Sequence, residues 1–249
     1  MKYRLFLSIA TASVLGSTAF ASTMGPVIPS KAWSWVASIA AGPMVERSGE
    51  TQTFYLAPQI EKTHAARIST NTIASGELFL GIQKLLTSQW LAQLGLAAAT
   101  TGNAKLQGVI WDDADPQFDN YSYRYKVRHS RVALKGKLLL DKSYWVMPWV
   151  SASLGVGFNR AHDFTNTPLI FEALPNNNFE DQTKKAFTYT LGAGVQKSIR
   201  KHWQMGVGYE FTDWGKSELG RALGQTMNAG LALNHIYTNG VLFNLTYVA

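Results

Sequence analysis

From Trp203 the odd positions are Trp203, Met205, Val207, Tyr209 and Phe211, and the even positions are Gln204, Gly206, Gly208, Glu210 and Thr212. A period of two held over ten residues predicts a β-strand with one apolar face. The same rule sets Phe187, Tyr189, Leu191, Ala193 and Val195 against Thr188, Thr190, Gly192, Gly194 and Gln196. It also sets Val146, Pro148, Val150, Ala152, Leu154, Val156 and Phe158 against Ser151, Ser153, Gly155, Gly157 and Asn159. Shorter apolar faces are Leu78, Leu80 and Ile82, then Ala92, Leu94, Leu96 and Ala98, and finally Val241, Phe243, Leu245 and Tyr247. Eight strands are predicted, near 33–45, 75–84, 89–101, 121–140, 144–162, 187–199, 203–214 and 235–248. One of them changes phase: Tyr121, Tyr123, Tyr125 and Val127 are odd, whereas Val132, Leu134, Leu138 and Leu140 are even. A one-residue bulge between Arg128 and Arg131 would keep one face apolar throughout.

The opposite faces carry mainly Gly, Ser, Thr, Ala and Gln, not the Lys and Glu of a solvated sheet. Small polar groups suit the crowded interior of a narrow barrel. Aromatic residues gather at strand ends: Trp33, Trp35, Trp90, Tyr144, Trp145 and Trp203 beside short turns, and Tyr121, Tyr123, Tyr125, Phe158, Phe187, Tyr209, Phe211 and Trp214 toward long loops. Two such girdles are what membrane interfaces select. Short connections near Leu85 to Gln89, Asp141 to Ser143 and Arg200 to His202 interleave with four long ones at Glu46 to Ala74, Gly102 to Asn120, Asp163 to Ala186 and Gly215 to Asn234. The expected fold is all-β: a closed antiparallel up-and-down transmembrane β-barrel of eight strands, with short periplasmic turns and long extracellular loops. Ten strands are the alternative. Thr53 to Ile60 alternates weakly and could extend the first hairpin above the membrane, and Thr238-Asn239-Gly240 has the composition of a hairpin turn.

The N-terminus adds the compartment. Lys2 and Arg4 precede an apolar run from Leu5 to Leu15, and Ala19-Phe20-Ala21 forms a small-x-small cleavage signal. Residues 1–21 are therefore expected to be a cleaved secretory signal peptide and 22–249 a single barrel domain in the cell outer membrane. Losing Lys2 and Arg4 takes the net charge from +7 to +5. The absence of Cys excludes disulfides, thiol catalysis and cysteine-ligated zinc. No later stretch is long and apolar enough for a membrane helix, since Gln93 interrupts the best run, Trp90 to Ala99.

The strand Gly206-Val207-Gly208-Tyr209-Glu210-Phe211, the closing run from Thr238 to Tyr247 and the Leu134-Lys135-Gly136-Lys137 stretch resemble the outer-membrane β-barrel family that includes opacity proteins and OmpA-type transmembrane domains. The resemblance covers essentially the whole mature chain. It implies the barrel fold, and it implies the barrel-assembly machinery as a partner during biogenesis.

Charge placed inside the barrel is the most informative candidate site. Alternation points Glu77 and Glu210 inward, with Arg124, Lys126 and Arg128 before the expected bulge and Lys135 and Lys137 after it. Isolated charges in a narrow lumen are costly, so an ionic network of Glu77, Arg128, Lys135, Lys137 and Glu210 is expected to plug the centre. The inward glycines work the other way and would leave water-filled gaps. No catalytic set is expected: His129 and Ser130 face opposite sides of a strand, and His162 with Asp163 sits where a strand enters a loop. The acidic run Asp112, Asp113, Asp115 and Asp119 lacks calcium-loop spacing and reads as a solvated loop, so neither metal nor cofactor is expected. Lys62, His64 and Arg67 in the first loop are candidates for lipopolysaccharide phosphates, and Leu169, Ile170 and Phe171 form an apolar loop patch. The function expected is structural or surface-interactive, facing outer-membrane lipid and lipopolysaccharide, with adhesion to a host or cell-surface ligand through the loops. A monomer without nucleic-acid binding is expected. The alternatives are a small passive solute channel and, less well founded, a lipid A-modifying enzyme.

Overall fold

The computed structural model describes residues 33–142, 145–173 and 176–249. The leader at 1–21 and the girdle residue Tyr144 lie outside them. The strands, in chain order, are β1 (Ser34–Ser48), β2 (Gln52–Ala57), β3 (Ile60–Arg67), β4 (Ser69–Leu85), β5 (Trp90–Asp112), β6 (Tyr121–Leu140), β7 (Met147–Pro168), β8 (Gln182–Ser198), β9 (Trp203–Asp213), β10 (Ser217–Glu218), β11 (Ala232–Leu233) and β12 (Tyr237–Val248). Eight of them form a closed antiparallel ring in the order β1-β4-β5-β6-β7-β8-β9-β12, and β12 returns to β1 through pairs such as Ile39↔Leu245. Closure leaves the ring itself without an edge, so its eight strands satisfy their backbone groups sideways where they cross lipid.

The ring strands coincide with the eight predicted, but several are longer than expected: β5 spans 23 residues and β7 spans 22. A tilted strand needs only about 9–11 residues to cross a bilayer. The barrel therefore continues well beyond its lipid-facing section. At the short-turn end, tight connections are closed by bonds such as Leu86 N to Trp90 O (2.8 Å) and Ile199 N to Trp203 O (2.9 Å).

The two hints of ten strands resolve differently. Thr238, Asn239 and Gly240 lie inside β12, paired with Thr212, Phe211 and Glu210 of β9, so no turn forms there. Thr53 to Ile60 does form a hairpin: β2 and β3 pair at Thr53↔Thr63, and β3 adds to the loop-end extension of β5 at His64↔Ile110. It lies outside the ring and adds to β5 instead of lengthening the first hairpin.

The expected bulge in β6 is absent. Its odd residues from Tyr121 to Arg131 are all buried inside the barrel, and Arg124 and Arg128 are exposed outside it. What changes along β6 is the surroundings. Near the turns the outside is lipid and takes Val132, Leu134 and Leu138; toward the loops the outside is polar, and the apolar side chains move to the interior. The shifts of register are on the neighbouring strands, between Thr100 and Asn103 of β5 and, on β7, between His162 and Thr165.

Candidate functional site in the lumen and on the outer face

The inward residues stack in layers. In the middle, Arg131 and Lys135 stand two inward steps apart on β6, separated only by the small Ala133. Glu77 reaches them from β4 and Glu210 from β9. Arg131 Nη2 donates to Glu77 Oε2 (2.7 Å) and Glu210 Oε1 (3.2 Å), and Lys135 Nζ donates to Glu77 Oε1 (2.5 Å) and Glu210 Oε2 (3.0 Å). All four carboxylate oxygens are engaged, and two positive charges meet two negative ones. Glu210 has space because Gly192 and Gly240 stand opposite it on the strands to either side.

Among the expected network residues, Glu77, Glu210 and Lys135 are thus brought together. Lys137 lies one layer nearer the turns, donating to Gln196 Oε1 and standing 4.5 Å from the Trp149 ring centre. Arg128 is a correction: it points outward, as do Arg124 and Lys126, because β6 keeps its phase. Arg131 takes the guanidinium position in the network. Its odd number, in step with Tyr121 to Val127, was the available signal, and the assumed bulge concealed it.

Toward the loops lies a second polar layer that the sequence reading did not anticipate. Asn159 Nδ2 donates to the carbonyls of Trp214 (2.7 Å) and Lys216 (2.8 Å), which leaves Asn159 Oδ1 to accept from His129 Nδ1 (2.8 Å). His129 Nε2 faces Glu46 Oε2 at 3.0 Å, and Ser48 Oγ donates to the other Glu46 oxygen (2.8 Å). The imidazole stacks on Trp214 at 5.1 Å, and the indole Nε1 donates to Thr238 Oγ1 (2.9 Å). Trp214 is consequently a lumen residue and not part of a girdle. Trp149, also inward, fills the space expected to hold glycine-lined gaps: Cβ atoms added at Gly194 or Gly208 would lie 2.7 and 2.2 Å from its ring.

A third, apolar layer closes the loop end. Tyr121, Tyr123, Tyr125, Phe164, Phe179, Leu219, Leu231 and Ile236 are buried together there, so the three tyrosines expected in the outer girdle are core residues. The β2–β3 hairpin folds over them. His64 stacks on Phe54 (5.1 Å, 6° between planes) and packs near Phe179 and Tyr123. Burial, and then the neighbouring Lys62, lower the His64 pKa to about 3, so the imidazole is neutral. Lys62 is covered too, paired with Asp112 at 2.7 Å and lying 4.9 Å from the Tyr121 ring centre. Lys62 and His64 cannot face lipopolysaccharide phosphates, because the hairpin turns them toward the barrel mouth; Arg67 remains exposed. The acidic run does local structural work: Asp112 also accepts from Asn120 Nδ2 (2.7 Å), and Asp115 caps the 3-10 turn Pro116–Phe118.

The outer surface is divided by height. On β7 the outward residues from Pro148 to Phe158 are apolar or small, about ten residues of tilted strand and so roughly 25 Å of height. Trp33, Trp35, Trp90, Trp145 and Trp203 are exposed beside the turns, and Tyr209 and Phe187 are exposed on β9 and β8. Phe211 also faces outward, stacked on Tyr237 at 5.7 Å. Directly above the band, β5 to β8 present Lys105, Arg124, Lys126, Arg128, Arg160 and Lys185. Lys126 pairs with Asp163 (2.9 Å) and Arg160 with Asp181 (3.0 Å), whereas Lys105, Arg128 and Lys185 have no acidic partner among the described residues. A closed ring with an apolar belt, aromatic residues at its margins and a polar, filled interior decides the class. The protein is an outer-membrane β-barrel.

No protein-family model matches the chain, and no curated protein matches it. Solved structures do. The barrel is similar to Neisserial surface protein A (11% identity, 86% of this chain and 96% of that chain, TM-score 0.44). It is similar to the outer-membrane protease OmpT from Escherichia coli (10% identity, 89% and 98%, TM-score 0.46). It is also similar to the outer membrane protein AlkL (14% identity, 94% and 97%, TM-score 0.38).

Two pairings of a histidine with a carboxylate lie on the barrel's outside. His162 Nδ1 is 3.3 Å from Asp163, a residue with positive φ (57°) where β7 is irregular, and His235 Nδ1 is 3.0 Å from Asp213. His129 and Ser130 stand on opposite faces of β6, the first buried in the lumen.

Proposed function

We propose that this barrel is a plugged, lipopolysaccharide-facing surface protein whose extracellular cap, not its lumen, meets other molecules. What carries the reading is the middle layer, in which Arg131, Lys135, Glu77 and Glu210 cross the lumen with every carboxylate oxygen engaged. An open pore for solutes would need that layer to part, and breaking a buried pair costs about 3–5 kcal/mol. The unpaired basic groups above the lipid band supply the lipopolysaccharide part of the proposal, since phosphates at that height meet positive charge on β5 to β8. Leu169, Ile170 and the fully exposed Phe171 offer an apolar contact at the loop end for a surface ligand. Insertion is expected to depend on the barrel-assembly machinery.

The test is single-channel recording of the refolded protein in a planar bilayer, with heat-modifiable gel mobility run beside it to establish that the barrel has formed. A folded barrel that stays silent, with Glu210→Ala silent as well because the His129–Trp214 layer still blocks the path, is the expected result. Steady conductance in the native protein would replace this reading with the passive channel.

A further inference from the structure

One cation below the central layer has no acidic group beside it. Arg131 and Lys135 cancel Glu77 and Glu210, and those carboxylates have no free oxygen for a third cation. Lys137 lies one layer below, on the same inward face. It contacts the amide oxygen of Gln196 and the face of Trp149, both uncharged. A buried ammonium without a counter-charge is expensive and calls for a negative partner.

The structure places space and donors beside it. A cavity of about 50 Å³ is bounded by Lys137, Trp149, Ser151, Gln93, Ser38 and Asn244 on its lower side, and Glu77, Glu210 and Lys135 border it above. A single water needs roughly 10–15 Å³ of such volume, so the cavity exceeds one water and suits a small ion with a partial hydration shell. Two of its donors, Trp149 Nε1 and Ser151 Oγ, are buried without any hydrogen-bond partner, and Ser151 is only 7% exposed. Gln93, by contrast, spends its amide on Gln83 (2.8 Å), and Ser38 is engaged with Leu245 O and Thr246. The unmet groups are therefore a cation, an indole N–H and a hydroxyl on β6 and β7, together with the amide oxygen of Asn244 on β12, an acceptor for Lys137 or for a water that hydrates the ion.

We propose that Lys137, Trp149 and Ser151 form a binding site for a small monovalent anion of chloride size in the periplasmic half of the lumen. Lys137 supplies the charge, and the indole N–H and the serine hydroxyl supply directed donors. The filled carboxylates above keep the ion from moving farther up the lumen. The site would give Lys137 a counter-charge that the central carboxylates, already matched by Arg131 and Lys135, do not supply. It does not depend on the surface-interaction reading.

Crystals of the detergent-solubilised barrel grown in bromide test it directly. An anomalous bromide peak within hydrogen-bonding distance of Lys137 Nζ is expected, and a site occupied only by water overturns the proposal. Urea unfolding in lipid at constant ionic strength gives the second arm. Above the midpoint for binding, each tenfold rise in chloride replacing gluconate should raise the folded-to-unfolded ratio about tenfold in the native protein. Lys137→Met should abolish that chloride dependence, and Ser151→Ala should weaken it. The same dependence in native and Lys137→Met proteins, or none in the native protein, rejects the site. Should Lys137→Met fail to fold, the bromide experiment on the native chain still decides.

Discussion

Arg131 shows how one side chain is held by its surroundings. It is 2% exposed, its Nη2 serves two carboxylates, and its guanidinium lies 5.3 Å from the Trp214 ring centre. Replacing it with methionine keeps much of the volume but leaves two glutamates sharing Lys135. Removing one partner of a buried pair costs about 3–5 kcal/mol. Urea unfolding in lipid vesicles should show a loss of that size for Arg131→Met, and the double change Arg131→Met with Glu210→Gln should recover much of it. Equal losses in the two variants would show that the guanidinium matters for packing and not for charge. In the sequence, Glu77, Glu210 and Lys135 were legible as inward from parity alone. Arg131 was not, because the switch of apolar residues from odd to even positions imitates a bulge when the solvent outside the strand is assumed to be uniform.

At the scale of elements, the lipid-embedded halves of the strands were legible and the extracellular halves were not. Within the bilayer both environments are fixed, lipid outside and polar interior, so a period of two identifies each face. Above it the rule inverts, and the distant segments that supply the inner contacts, such as 217–236 over the barrel mouth, carry no periodic signal. The β2–β3 hairpin is the clearest example, since Lys62 and His64 read as loop charges yet are both buried. Its stability should depend on pH. The His64 pKa falls from 6.5 to about 3 on folding, so below pH 6.5 the opened hairpin binds the proton and the closed one does not. The contribution is complete above pH 6.5 and is lost at up to about 1.4 kcal/mol per pH unit as pH falls toward 3. Hydrogen exchange of the β2 and β3 amides should report this loosening, and His64→Phe, which preserves the stack on Phe54, should flatten it. A pH profile identical in both proteins would show that another group governs the hairpin.

For the whole molecule, the interior and exterior assign different tasks to charge. Inside, the carboxylates are matched by cations at the centre of the barrel; outside, the cations of β5 to β8 outnumber the acids that accompany them and stand immediately above the lipid-facing belt. The opposite wall of the barrel presents Tyr237, Asn239 and Thr72 at its outer face, with Arg47 on β1 above them, so the positive surface is concentrated on β5 to β8. Lipopolysaccharide should accordingly hold to β5–β8 more tightly than to the wall formed by β9, β12 and β1. A cation near an anionic membrane surface contributes about 1 kcal/mol. Replacing both Arg128 and Lys105 with glutamine should therefore weaken lipopolysaccharide binding by about 2 kcal/mol, or roughly thirtyfold. These two are the informative pair because neither has an acidic partner and neither side chain enters the core. Titration of the refolded protein with lipopolysaccharide at two salt concentrations checks the prediction, since an electrostatic contribution should shrink at the higher one. Retained affinity in the double variant would remove the basic face from the account and leave apolar contact with the acyl chains as the source of binding.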